Sequence, residues 1–495
     1  MVSWENRLMW ISGFVLSLLM VFAAIQHMQQ RRLDRKVAEI RARGEPMTWE
    51  DLAAYQPPVP DADNAAPILE QAFAKMVSLE HVAGVKENFL PIVGVAPDPS
   101  PGEPMPDEMR QMSELYLTAN REALDLLRQA AQKPACRWSH VPSVDKPYPE
   151  CFDQLRPAFR LISLDIYVLA EKGENDVASR ELRSSLALAA LMPAGCAKDS
   201  YWFNYACLSL VLRQVESILN FRGRSSEDLM AIRSSLPKET ALEENVRQSA
   251  LIAERGFMFS AIQESSTDAE DFLVILTGGE HHYGRPTDIQ EMFERVVLNL
   301  CFNLYFAVAY RRDVYHWLLY YDEFIAASRL QDMDRLKAVD ALQARITKEF
   351  TFLNIITRAT HFRTIFSCQK HSLLIAQLRC VQTLLAVERY RAERGDLPAS
   401  LADLVPTYLP AVPIDPFDGR ELRYRIIRGE TIKLNILKRN EKDDNYPYET
   451  ELAEVPGRGY MVYSVGQNRV DDGGTPLRPS GVGKTDTDIT FMVNR

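Results

Sequence analysis

At 495 residues the chain is longer than one ordinary core needs, and it predicts about two to four domains. Its 46% apolar and 25% charged residues are normal for a globular protein and exclude extensive disorder. The 57 basic and 67 acidic residues leave a net charge of −10, and basic residues cluster only just after the first helix. That balance excludes a nucleic-acid partner, which needs a basic surface.

The first predicted element is LMWISGFVLSLLMVFAAI, Leu8 to Ile25, eighteen residues without a charge. At about 1.5 Å per residue a helix of this length reaches roughly 27 Å, close to the hydrocarbon thickness of a bilayer. Trp4 and Trp10 sit near one end, where interfacial aromatics belong. A cleaved signal peptide is the competing reading, with Val21-Phe22-Ala23 as a weak cleavage site, but its apolar region is normally shorter. Arg31, Arg32, Arg35 and Lys36 follow the segment, whereas Arg7 alone precedes it. On charge alone the bulk of the chain stays in the cytoplasm.

A basic amphipathic stretch, Leu33 to Arg43, predicts that the anchor helix continues outward to Gly44. Thr48 and Asp51 form a capping-box-like start to a short helix over Trp49–Tyr55. Asn64 caps a helix from Ala65, and six prolines between Pro91 and Pro106 exclude regular structure there. Apolar residues at helical spacing predict a helix through 107–133, a second over about Ala158–Glu171 closed by Gly173, and a third from Asp176 to Pro193. The junction LAEKGENDVASRELRSSLALA resembles the turn of a tetratricopeptide hairpin, with Gly173 at the turn and small Ala178 and Ser185 at packing positions. No 34-residue period recurs. The expectation is therefore an irregular solenoid of stacked helical hairpins, continuing through Tyr201–Phe221, Glu239–Glu264 and Ile289–Ser328. Arg311, Arg312 and Asp313 interrupt the last apolar run too soon for a second membrane span.

No H-E-x-x-H, G-x-S-x-G or strand-borne G-x-G-x-x-G occurs. His281 and His282 are neighbours in a glycine-rich turn, which suits solvation better than one shared metal. Gly481–Thr485 looks like the end of a phosphate loop, but Arg478 stands where its first glycine belongs and Asp486 and Asp488 would face the phosphate. The seven cysteines include no C-x-x-C; most read as small buried hydrophobes, while Cys136 and Cys151 flank a proline-rich loop and could pair in an oxidising compartment.

The C-terminal region is the most informative. A helix ends near Arg394-Gly395, and a short helix follows at Ser400–Leu404. Strands are predicted over Glu421–Ile427 and Thr431–Leu437, joined as a hairpin across Arg428-Gly429-Glu430, then over Gly459–Val465 and Thr490–Val493. The series Glu388-Arg389-Tyr390-Arg391, Gly395, Pro398, Leu404-Val405-Pro406, Asp415-Pro416-Phe417, Tyr463-Ser464-Val465-Gly466 and Asp486-Thr487-Asp488-Ile489 resembles the globular domain of the major pseudopilins of type II secretion. The resemblance implies an extracytoplasmic bulk of the chain, against the charge signal. It also implies a calcium site in the loop after the sheet, with Asp486 and Asp488 as ligands, Val465 offering a carbonyl, and Asp471 and Asp472 as further candidates. A solvated turn is the competing reading for that loop. The chain departs from the family in two ways. Its N-terminus lacks the processing pattern, and the helix before this domain carries Arg363, Lys370 and Arg379 and does not span a bilayer cheaply.

The sequence thus predicts an α+β multidomain chain. Residues 1–45 are a transmembrane helix with its juxtamembrane extension, 46–106 a helical segment with a proline-rich loop, 107–355 a helical-hairpin domain, and 356–495 a pseudopilin-like domain with an antiparallel sheet. The function expected is that of a single-pass, non-catalytic scaffold or accessory protein with protein partners, placed in envelope assembly or secretion. The alternative is an enzyme or ligand-binding protein with its site between the helical domain and the C-terminal domain.

Overall fold

The structure is a computed structural model that describes residues 4–55, 58–100, 102–140, 143, 146, 149–191, 200–221, 223–267, 272, 289–349, 354–440, 448–474 and 488–495. Most of it is helical, with one small antiparallel sheet at the C-terminus.

Helix α1 runs unbroken over Trp4–Ala42, roughly 58 Å at about 1.5 Å per residue. Its apolar half is long and apolar enough to cross a membrane, with mean hydropathy 1.8 and no part of that window buried in the protein. Its second half is docked instead. Leu33, Lys36 and Ile40, at helical spacing, are buried among Phe257, Met258, Trp317 and Tyr321. A charge network locks this contact. Lys36 reaches Asp322 at 2.5 Å, Arg43 reaches Asp322 at 2.7 Å and Glu45 at 3.0 Å, and the fully buried Arg255 pairs with both Asp322 and Glu45.

Helices α2 (Trp49–Tyr55) and α3 (Ala66–Lys75) follow, then α4 (Asp107–Ala119) and α5 (Arg121–Ala130). The single helix expected through 107–133 is broken at Asn120. Its buried amide accepts from Val77 N at 2.8 Å and donates to Val77 O at 3.2 Å, a tertiary pairing that helical periodicity does not reveal. Helices α6 (Leu155–Lys172) and α7 (Asn175–Leu191) form the expected hairpin about Gly173, whose φ of 77° suits a residue without a Cβ. Cys136 and Cys151 are free thiols, so the pairing considered for them is not made.

Then come α8 (Ser200–Phe221), α9 (Ser226–Ser235), α10 (Glu239–Asn245), a π-helical stretch (Val246–Ala253) and α11 (Glu254–Glu264). The long helix expected after residue 289 divides at Ala309 into α12 (Ile289–Val308) and α13 (Tyr310–Ala327). Helix α14 (Asp332–Glu349) leads to α15 (Ile355–Arg394), 40 residues long. The start of α15 is capped from a distance. Buried Asp313 accepts from Ile356 N at 2.8 Å, from the Thr357 hydroxyl at 2.6 Å and from the Tyr305 hydroxyl at 2.6 Å. A carboxylate there meets both the unpaired N–H groups and the positive end of the helix dipole. Between Leu374 and Val387, α15 is buried nearly all round, as a central helix must be.

Strands β1 (Arg423–Arg439), β2 (Tyr448–Ser464) and β3 (Ile489–Asn494) lie antiparallel in that order. The hairpin expected at Arg428-Gly429-Glu430 is instead a β-bulge inside one 17-residue strand. Gly429 and Glu430 oppose the single residue Gly457, because β2 runs on past them as a partner of equal length. Alternation along β2 puts Tyr460 and Val462 against α15, and Met461 and Tyr463 on the other face. The free edge of β3 is satisfied by side chains of α8 at one-face spacing. Arg213 donates to Thr490 O at 2.7 Å, Glu216 accepts from Met492 N at 2.6 Å, and Asn220 bridges Met492 O and Asn494 N at 2.7 Å each. One apolar core consequently holds residues from Ala65 to Val493, joining the helical hairpins to the sheet.

Candidate functional site at the acidic end of the sheet

Ser464 pairs with Ile489, so the chain leaves the sheet at Val465 and returns just after Asp488. Five carboxylates gather at this end: Asp415, Asp418, Asp471, Asp472 and Asp488. Asp415 and Asp418 come from the DPFDG turn that precedes β1. Each side chain accepts a backbone N–H two residues on, Asp415 from Phe417 at 2.9 Å and Asp418 from Arg420 at 3.0 Å. This local hydrogen bonding is what makes Asp favourable in such turns.

Asp415 is fully buried and ties the turn to the end of β2, accepting from the Ser464 hydroxyl at 2.8 Å and from Val465 N at 2.9 Å. Burial pushes its carboxyl up, against the pull of those hydrogen bonds. Asp471 accepts from the Tyr463 hydroxyl at 3.1 Å and from Gly473 N at 3.0 Å. Asp472 accepts from Asn468 at 3.0 Å. Asp488, fully buried, accepts from Gly474 N at 2.7 Å and Asp472 N at 3.3 Å. Desolvation pushes the Asp488 carboxyl up to about 6, with Asp471 and Asp472 adding to the rise and the two backbone donors opposing it. Gly474 is required here. Its φ is 80°, and a Cβ would lie 2.3 Å from the Met461 sulfur.

Of the sequence-predicted ligands, Asp471, Asp472 and Asp488 are brought together, and Val465 stands beside them with its N–H spent on Asp415. Asp486 lies outside the described residues, as do His281-His282 and Gly481–Thr485. Among the described residues, no three His, Cys, Asp or Glu side chains are placed to hold a metal ion. The donors at hand already serve the turn. The cation that is present is Arg423, absent from the sequence-based candidates. It contacts Asp415 at 3.2 Å and Asp471 at 3.7 Å, and pairs with Asp418. Although burial opposes it, hydrogen bonding from Arg423 and Arg420 holds Asp418 below the usual carboxylate range. The two Asp residues of DPFDG were the available signal, since each sits just before a turn-forming Pro or Gly.

A second polar cluster joins the helices to the sheet. Arg379 of α15 pairs with Glu239 at 2.7 Å and Asp332 at 2.7 Å, and donates to Ile414 O at 2.6 Å. His371, fully buried one face away, is held well below its usual range by burial and by Arg335, Arg379 and Arg247, so it is neutral. Lys370 lies over the rings of Phe366 and Tyr205 at 5.0 and 5.5 Å. Lys370 and Arg379, two of the cations that make this helix unfit for a bilayer, thus have partners in other elements. These are joints between elements, and the α8–β3 junction is likewise filled, with Arg213 stacked 4.1 Å from the Phe491 ring centroid.

An open groove of about 1070 Å³ lies where α1 leaves its apolar half, between Leu33 and Val37 of α1, Trp49, and Phe259 of α11. Its walls are mainly apolar and its rim carries Asp34, Arg41 and Glu264. Compared with known proteins, the chain matches no family model, no curated protein and no solved structure.

Proposed function

We propose that this protein is a membrane-anchored, non-catalytic scaffold or accessory protein that holds its helical body at a fixed height and orientation on the bilayer. One observation carries this reading. The anchor and the docked arm are a single helix, and the arm is locked to the body by Lys36, Arg43, Glu45, Arg255 and Asp322. A flexible tether would need no such lock. The buried polar clusters support a non-catalytic role, because their charges are spent on joining elements. The groove beside Trp49 offers protein partners an apolar surface close to the membrane. The resemblance of the C-terminal residues to pseudopilins supports a place in envelope assembly or secretion and an extracytoplasmic body.

The test is crosslinking of the full-length protein in intact membranes, followed by partner identification, with Trp49→Ala as the variant. A recurrent envelope partner lost in that variant is expected. A partner-free protein that turns over a small molecule would overturn the scaffold reading in favour of an enzyme. Protease protection in spheroplasts against intact cells decides the side of the membrane.

A second reading concerns the acidic loop, proposed here as a site for a hard cation such as calcium. What favours it is the raised Asp488 carboxyl flanked by Asp471 and Asp472, a charge excess that a bound cation relieves. Arg423 is its competitor for the same carboxylates.

A further inference from the structure

Helix α12 is apolar on two faces. Phe302, Tyr305 and Phe306 turn toward the body, where their rings pack against Phe272 and Tyr310. The opposite face carries Val296, Leu300, Leu304 and Val308 at four-residue spacing, and Leu300 and Leu304 are 66% and 65% exposed. No charge interrupts the sequence from Val296 to Ala309. Exposed Asn299 and Asn303 border the outer stripe, and a helix apolar on two faces needs an apolar environment on both, whereas the protein supplies a core on one side only.

Its height relative to the anchor is fixed by hydrogen bonds. Gln26, the residue after the last apolar position of the anchor, donates to Val308 O at 3.4 Å. Arg311, just beyond α12, donates to Gln30 at 2.7 Å and to Gln26 at 3.4 Å. The C-terminal end of α12 therefore lies where α1 emerges from the bilayer. We propose that α12 is a second membrane contact, an interfacial helix whose Val296–Val308 face is buried in the leaflet from which α1 emerges. The occupant is lipid because the exposed face ends at Val308, which Gln26 holds beside the point where the exposed apolar run of α1 ends at Ile25. The thirteen residues Val296–Val308, apolar except for Asn299 and Asn303, extend about 20 Å, enough for an interfacial or re-entrant segment and too short for a second crossing. Exposed Arg31, Arg32 and Arg35 stand at the same level, suited to anionic headgroups. Two contacts, one crossing and one lying in the interface, restrain the tilt of the body against the bilayer more than the crossing helix does by itself.

This inference rests on α1 lying in the membrane, and the experiment separates the two. A fluorescent amino acid sensitive to polarity is placed at position 16, 304 or 337 in separate full-length proteins. Each is reconstituted in phosphatidylcholine vesicles with a minority of phosphatidylglycerol and with lipids spin-labelled at a deep and, separately, a shallow acyl position as quenchers, the deep label reading position 16 and the shallow one position 304. Positions 16 and 304 are expected to be quenched several-fold more than exposed Lys337. Quenching at 16 with position 304 as dark to lipid as 337 overturns the inference and leaves the anchor intact. Equal exposure of all three overturns both. Leu300→Glu, a surface change that leaves the fold alone, is expected to bring quenching at 304 down toward the 337 level. Crosslinking of 304 to a second copy in place of lipid also overturns it.

Discussion

The two ends of the molecule handle buried charge in opposite ways. Where the anchor docks, three cations (Lys36, Arg43, Arg255) face three carboxylates (Glu39, Glu45, Asp322), and each has a close partner. At the end of the sheet, Arg423 serves three of the five carboxylates, and backbone N–H groups with the Ser464, Tyr463 and Asn468 side chains supply the rest. Glu45 is held below its usual range by Arg43 and Arg255 despite burial, whereas Asp488 is pushed up. A balanced cluster acts as a lock. An unbalanced one responds to pH and to cations.

The largest expected effect comes from breaking the lock. Arg255→Ala removes a fully buried cation and leaves Glu45 and Asp322 to Arg43 and Lys36 alone, a loss of about 3 kcal/mol, the low end for a broken buried pair, in unfolding free energy measured by denaturant titration. A cost below about 1 kcal/mol would mean that the network is solvated and the arm is loosely held. On the sheet side, Glu216→Ala leaves Met492 N without its acceptor, and a cost of about 1–3 kcal/mol is expected by the same titration.

The pH dependence compares the two regions directly. The folded pKa of Glu45 is lowered, so its contribution is present above its ordinary value of 4.5 and is lost as pH falls through the lowered value. The folded pKa of Asp488 is raised, so its contribution is fully present below 3.8 and is lost as pH rises through about 6. Thermal melting is thus expected to peak in weak acid. Asp488→Asn is expected to flatten the fall toward neutral pH while leaving the acid limb, and to stay within about 1 kcal/mol of the natural protein at neutrality. An unchanged neutral limb would show that another group controls it. The smallest effect is expected from calcium, a rise in melting temperature at neutral pH that a chelator reverses and that Asp488→Asn abolishes. No shift would leave Arg423 as the cation of the acidic loop and remove the proposed site.

How much of this was legible beforehand depends on how local the determinant is. The uncharged run Leu8–Ile25, the Gly173 turn, the short helix at Trp49 and the closing strand at Thr490–Val493 all rest on spacing or on one residue's conformational freedom, which sequence carries directly. The acidic loop was found through Asp471, Asp472 and Asp488, but Asp415, Asp418 and Arg423 were missed as members. Their convergence requires the end of β2 to meet a turn some fifty residues earlier.

The same division holds for the anchor with which the chain begins. Its length and lack of charge were decided by the sequence alone, because a bilayer selects on those two properties. Tertiary structure decided the rest. It made Gly429 a bulge, because β2 supplies a long partner. It broke the helix at Asn120 by pairing it with Val77, and it set Asp313 as the cap of a helix forty residues later. It also buried Arg255 between Glu45 and Asp322, turning the anchor's extension into a locked arm. Each of these depends on hydrogen-bonding groups far apart in the chain, and such groups acquire partners only when packing removes them from water.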